Sequence, residues 1–508
     1  MTIERTATTA KESGDATLEA VARTTPRRRR VVAATAATLL VGVLAGCSSP
    51  VEGEGRSSLF NPNYVGGMPV VDGPSGVRAD APDPESSAEY GDGGKVDRLA
   101  LLAVDDVVEY WEKHYTDPPM DGSFEPVGNL ASYDSTERFG PILCGMETYD
   151  FANAFFCPKA DLIAWDRGQL VPTGIKYFGD ASIAALLAHE YGHAVQTMGD
   201  LVDRSTPVIV REQQADCFAG SYIRWVTEGS SPRFELNTGD GLNRVLAAAI
   251  TISDPILTPE DQEMVEEGHG TALDRVAAFQ TGFIDGVDMC ARIDLESIEN
   301  NRGDLPLVLD TDAGQTGEAP LNEELVKTTV AALNTIFTPE KPPAVSMQPA
   351  AQPCPDAKAT PPVSYCPSTN TLTVDLAGLQ KAGRQPSREE RVLIQGDNTA
   401  ISVLASRYAL ALQHQRGVKV DDISAALRTA CLTGVSQRKM VEPIKVPEGG
   451  DIVLTAGDFD EAVAGLLNNG LAASDVNGTT VAAGFTRIMA YRSGIINPDA
   501  DACYTRFP

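Results

Sequence analysis

The spacing of apolar positions changes along the chain, and each change marks a new part. A polar, basic stretch ending in Pro26-Arg27-Arg28-Arg29-Arg30 runs into a mostly apolar segment, Val31 to Leu44. From Lys95 the spacing becomes helical, with Val104, Val107, Val108, Trp111 and Tyr115 on one face. Leu162-Ile163-Ala164-Trp165 is a short apolar run between polar residues and predicts a strand. Asp180 offers an N-cap and Gly199 a C-cap to a helix over 181–198. Ser205-Thr206-Pro207 opens a second helix, running to about Val226, and helical stretches follow at 242–252 and 271–284. The expected fold class is α+β, mainly helical.

The first segment is a leader rather than part of the fold. A basic region, a short apolar core and the small residues Ala45-Gly46 make a secretory signal over residues 1–46. Fourteen apolar-segment residues fall short of the roughly 20 that a membrane span needs. Leu44-Ala45-Gly46-Cys47 resembles the bacterial lipobox, which implies cleavage before Cys47 and its lipidation. The body is then expected outside the cell, lipid-anchored to the outer face of the cytoplasmic membrane, with the arginines held inside. Residues 47–94 are rich in Gly, Pro, Ser and Asp without a period, and read as a flexible tether, with local order over 65–77 left open.

The second half of the chain echoes the first. Cys157-Pro158 stands nine residues before Asp166, and Cys366-Pro367 nine before Asp375. Cys144 and Cys157 are 13 apart, Cys354 and Cys366 are 12; Cys217 and Cys290 are 73 apart, Cys431 and Cys503 are 72. Leu187–Gln196 is echoed by Leu404–Gln413, and His269-Gly270-Thr271 by Asn477-Gly478-Thr479. A domain duplicated in tandem follows, with a domain over 95–300, a linker over 301–320 and a second copy over 321–508. Bridges kept within each copy would be Cys144–Cys157, Cys217–Cys290, Cys354–Cys366 and Cys431–Cys503.

Composition adds two constraints. The 508 residues carry a net charge of −29, which argues against a nucleic-acid partner, since phosphate binding needs a basic excess. Of nine cysteines, setting Cys47 aside leaves an even eight, as suits an oxidising, exported location.

The chemistry concentrates in Ala188-His189-Glu190-Tyr191-Gly192-His193-Ala194-Val195, in a chain with only five histidines. On a helix, positions i and i+4 share a face, so His189 and His193 can meet one metal ion. Glu190 can reach a water bound there as general base, the arrangement of a zinc peptidase. A third ligand must come from elsewhere, a carboxylate or His269. Here the sequence resembles the gluzincin peptidases, and more closely the bacterial neutral zinc metallopeptidase family. The residues that carry the likeness are His189–Gln196, Glu212–Gly220 in the pattern Glu-x-x-Ala-Asp-Cys-Phe-Ala-Gly, and His269–Val276, over roughly 95–295. Gln213 stands where Leu is usual and Asp274 where Gln is. The resemblance implies a zincin-like fold, Glu212 as third zinc ligand and Asp216 as the group that orients a ligand histidine. His269 could stabilise the oxyanion of the tetrahedral intermediate or simply cap the following helix. Arg275 reads as structural. By analogy with zincins generally, strand 162–165 could be an edge to which a peptide adds.

The second copy has lost this set: Ser406 and Leu410 replace the histidines, Arg407 the glutamate, and Ala426 and Ala430 the later carboxylates. One Zn²⁺, in the first domain only, is therefore expected. The function expected is a zinc-dependent endopeptidase acting on peptide or protein substrates of the cell envelope. The alternative is a non-catalytic envelope lipoprotein, a binding or scaffold module whose zinc is structural or vestigial.

Overall fold

The structure, a computed structural model, describes residues 61–508 apart from 117, 252–267, 269, 303–304, 306–317, 349–352, 386–392, 394 and 447–451. The leader, Cys47 and His269 lie outside the described residues. In the first half the order is β1 (Tyr64–Val65), β2 (Met68–Pro69), β3 (Gly76–Val77), α1 (Lys95–His114), β4 (Asn129–Tyr133), β5 (Ile142–Leu143), β6 (Met146–Glu147), β7 (Ala154–Cys157) and β8 (Leu162–Asp166). Then come α2 (Leu170–Phe178), α3 (Asp180–Met198), α4 (Val208–Thr227), β9 (Phe234–Glu235), α5 (Asp240–Thr251), α6 (Ala272–Asp285), α7 (Val287–Cys290) and α8 (Leu295–Arg302). The second half runs α9 (Glu323–Phe337), β10 (Ala344–Ser346), β11 (Val363–Cys366), β12 (Thr371–Val374), α10 (Leu376–Ala382), α11 (Asp397–Gln415), α12 (Ile423–Lys439), α13 (Ala456–Asn468), α14 (Gly484–Ile496) and α15 (Ala500–Arg506). This is a mixed helix and sheet fold with helix predominating.

The two halves use the same local devices. In the first, β8 lies between β4, parallel to it, and β7, antiparallel to it. In the second, β12 lies between parallel β10 and antiparallel β11. Each central strand leads into a helix whose first N–H groups are taken up by an aspartate, Asp166 for α2 and Asp375 for α10. Helices α4 and α6 then cross so closely that a Cβ on Gly220 would stand 2.1 Å from the Phe279 carbonyl oxygen, and one on Gly282 1.7 Å from that of Cys217. A similar crossing of α12 and α14 depends on Gly434 and Gly494, where a Cβ would stand 2.2 and 2.0 Å from the Tyr491 and Cys431 carbonyl oxygens. Four disulfides, Cys144–Cys157, Cys217–Cys290, Cys354–Cys366 and Cys431–Cys503, bind each set within its own half.

The halves are not separate bodies on a linker. One continuous hydrophobic core includes Leu246, Phe279 and Phe283 from the first and Leu467, Phe485 and Ile488 from the second. The Phe283 and Phe485 rings stand 5.1 Å apart. Polar bonds cross the same seam: Gln280 Nε2 donates to the Phe485 carbonyl at 3.0 Å, Arg492 donates to Gln280 Oε1 at 3.0 Å, and the Gly484 N–H donates to Asn243 Oδ1 at 2.7 Å. Helix α8 also runs past residue 300, because the Arg302 guanidinium is buried on Asp274 at 2.9 Å.

Three further expectations need correction. Residues 61–94 do not behave as a tether. Val65 is fully buried, β3 pairs with β9, and the Glu89 N–H donates to the Leu130 carbonyl. The glycines and prolines there make turns between short anchored pieces. The apolar run 162–165 is not a sheet edge but the central strand, buried throughout; an unbroken apolar run is the pattern of a strand covered on both faces. The edge is β7. Finally, Asp180 is the first residue of α3 and makes no capping bond; Gly179, at φ 83°, precedes it.

Candidate metal centre

Helices α3 and α4 form an antiparallel pair joined by a short connection, and the site lies between them. Gly192 lets them approach, since a Cβ there would be 3.0 Å from the Ala215 Cα. On α3, His189 and His193 lie one turn apart with ring centroids 4.9 Å apart and planes at 87°. Glu212 comes from α4: its carboxylate is 3.2 Å from His189 Nε2 and 3.5 Å from His193 Nε2. One ligand-type atom from each of the three lies within 4.8 Å of the others.

Both imidazoles are held from behind. His189 Nδ1 is 2.9 Å from Asp216 Oδ1, and Arg275 on α6 grips that carboxylate with Nε and Nη2 at 2.8 and 2.7 Å. His193 Nδ1 is 3.1 Å from Gln196 Oε1, and the Gln196 amide donates to the Arg211 carbonyl at 2.6 Å. With each Nδ1 engaged, the Nε2 atoms are the ones left to face Glu212.

Electrostatics follow from burial and these pairs. Burial works against charge on His189, but the Asp216 and Glu212 carboxylates outweigh it and push the imidazole up to about 10. Burial raises Asp216 too, yet Arg275 and His189 overcome it and bring the carboxyl down to about 2. Glu212 is also held low: burial opposes this, but the two histidines dominate. Glu190 goes the other way, raised by burial against the pull of the histidines.

Glu190 stands at the boundary between the helix pair and the sheet. Its Oε2 accepts the Phe156 N–H of β7 at 3.1 Å. In the antiparallel register, Phe156 therefore turns its N–H away from β8 and toward the site. A cleft of about 460 Å³ opens here, walled by Asn153–Phe156 on one side and by His189, Glu190, His193 and Glu212 on the other.

The structure thus brings together His189, Glu190, His193, Glu212 and Asp216, the last bonded to His189. Cys217, next to Asp216, is in its disulfide. Arg275, read as structural from the sequence, is bound directly to Asp216. Gln196 and the Phe156 backbone were missed as site groups. Gln196 sits three residues after His193, a spacing that places it beside that histidine on a helix; nothing in the sequence marks Phe156. Two imidazole nitrogens and a carboxylate make a donor set that fits zinc, and the cleft leaves room for a further ligand.

At the corresponding positions of α11 and α12, Ser406, Arg407, Leu410, Ala426 and Ala430 are all buried. Arg407 turns its guanidinium to the carbonyls of Asp475 and Leu471 and to Ser474 Oγ, at 3.0, 3.2 and 2.7 Å. Gln413 repeats one feature of Gln196: its amide donates to the Ala425 carbonyl at 3.4 Å and to Thr429 Oγ1 at 2.9 Å.

Comparison with known families gives one match. Residues 137–292 match the model of the family described as Putative neutral zinc metallopeptidase. The matched segment contains every residue of the centre described above, and it ends before the second half. Comparisons with curated proteins and with solved structures found no match.

Proposed function

We propose that the chain is a zinc-dependent endopeptidase, working through the first half alone. The observation that carries this reading is the position of Glu190, beside a two-histidine, one-glutamate donor set and at the floor of an open cleft. A purely structural metal site has no use for a carboxylate held there.

His189, His193 and Glu212 would hold the ion, with Asp216 and Gln196 fixing the two rings. A bound Zn²⁺ supplies Lewis acidity toward the scissile carbonyl and lowers the pKa of a water to about 7. Glu190 takes the proton of the attacking water and passes it to the leaving amine. Burial, which raises its pKa, suits it to hold that proton between the two steps. The side of β7 turned away from β8 offers main-chain groups at which an extended peptide can add as a further strand once Glu190 releases the Phe156 N–H.

The second half reads as a copy of the first that has lost its ligands. Its sheet order, its glycine crossing, its disulfides and the Gln413 bond all repeat, while five site positions are replaced. The lipobox-like Leu44-Ala45-Gly46-Cys47 supports a lipid-anchored, extracytoplasmic peptidase acting on proteins of the envelope. Zinc removal tests the reading. Cleavage of a peptide library should stop when the metal is chelated and return with one equivalent of zinc. Cleavage that continues without metal would contradict it.

A further inference from the structure

A second group of acidic residues lies far along the chain from the zinc ligands and takes no part in the proposed hydrolysis. We infer that Glu318, Asp397 and Glu461 form a binding site for a hard divalent cation, Ca²⁺ by its chemistry, in the second half of the molecule.

Carboxylate oxygens of Glu318, Asp397 and Glu461 lie within 4.8 Å of one another. Beside them, the Asp458 carboxyl is hydrogen-bonded to that of Asp397. These are not surface acids. Asp397 is 3% exposed, Asp458 6% and Glu461 2%. Buried charges of one sign need a partner, and among the described residues no lysine or arginine forms an ion pair with Asp397, Asp458 or Glu461.

Neutral donors reach several of these oxygens. The Ala319 N–H donates to Asp397 Oδ2, the Asn398 N–H to Glu461 Oε2 at 2.8 Å, and Thr455 N and Oγ1 to Asp458 Oδ2 at 2.6 and 2.7 Å. Glu318 accepts from the Asp397 N–H at 3.3 Å and from Gln385 Nε2 at 2.6 Å. Asp397 Oδ1, fully enclosed, receives no N–H and no hydroxyl, and the Asp458 carboxyl is the further group hydrogen-bonded to Asp397. A buried carboxylate oxygen that meets only other carboxyls has the surroundings of a cation ligand. Gly396 is part of the same arrangement: a Cβ there would stand 1.9 Å from Glu461 Oε1, so only glycine lets Glu461 lie against the start of α11.

The donor chemistry selects the ion. Oxygen-only, carboxylate-rich sites take Ca²⁺ or Mg²⁺, whereas zinc prefers sets with nitrogen or sulfur. A bound cation would tie the residue leading into α9 to the first turns of α11 and α13.

The test uses the full chain with its zinc in place. Calcium chloride is titrated by calorimetry, and melting is followed with and without Ca²⁺. One Ca²⁺ per chain is expected, with Kd on the order of 10⁻⁴ M or tighter, and a melting temperature raised by roughly 2–4 °C at saturation. Glu461→Gln should weaken binding by about tenfold or more while zinc content stays the same. If that variant does not fold, Asp397→Asn is read in its place. Absence of Ca²⁺ binding to the wild-type chain, or binding undiminished in the variant, overturns the inference and assigns the group to carboxyl pairs that share protons. The zinc reading does not depend on either result.

Discussion

Asp216 Oδ1 and His189 Nδ1 are 2.9 Å apart, and the same carboxylate carries both Arg275 donors. The pair joins three helices: His189 on α3, Asp216 on α4 and Arg275 on α6. Its effect is to fix which nitrogen of His189 faces Glu212. Groups that orient a metal-ligating histidine in this way are worth about 10–100-fold in metal affinity. Asp216→Asn should therefore weaken zinc binding by about that factor, as read by competition with a chelator, while circular dichroism shows a folded protein. Unchanged affinity would reduce Asp216 to a helix-packing residue.

Gln196 does the same work for His193 through a neutral amide, at 3.1 Å. An uncharged acceptor orients an imidazole less strongly than a carboxylate. Gln196→Leu should thus cost less zinc affinity than Asp216→Asn, and the two variants compared in one competition assay check the order.

The glycine crossing predicts a stability effect with no effect on chemistry in the second half. Gly494→Ala puts a methyl 2.0 Å from the Cys431 carbonyl, so α12 and α14 must separate. Overpacking of this kind costs about 1–3 kcal/mol, visible as a lower melting temperature, while zinc content stays at one per chain. In the first half, Gly282→Ala should destabilise similarly, and because it shifts α6 it should weaken zinc binding as well.

Cys217–Cys290 closes a loop with a sequence separation of 73. By loop entropy such a bridge contributes about 4 kcal/mol, against about 3 kcal/mol for the short Cys144–Cys157 loop. The double variant Cys217→Ser with Cys290→Ser should melt at a lower temperature than Cys144→Ser with Cys157→Ser. Equal melting would contradict the entropic account.

What was legible in the sequence was local or periodic. His189 and His193 follow from the i, i+4 spacing on one helix, and Glu212 and Asp216 lie on the next helix, across one short connection. The cysteine register pointed to the four pairs seen in the structure because the two halves repeat their separations to within one residue. What was hidden depends on long-range packing. The run 162–165 shows that a strand is buried, but not which strand stands at the edge; that depends on its pairing with both β4 and β7. Arg275 reaches Asp216 across 59 residues, and no spacing rule connects them. Residues 61–94 look like a linker by composition, yet they are held by a few backbone bonds and by Val65 in the core. The shared core was hidden for the same reason: matching cysteine spacings carry no information on how the faces of the two halves meet.

The central claim is that Glu190 moves the proton of the attacking water while His189, His193 and Glu212 hold the metal. Zinc stoichiometry and peptide cleavage measured together on wild type and Glu190→Gln test it most directly. The account predicts one zinc per chain in both, with cleavage in the variant lower by at least about 10²-fold. A variant that keeps its zinc and cleaves as fast as wild type would contradict it.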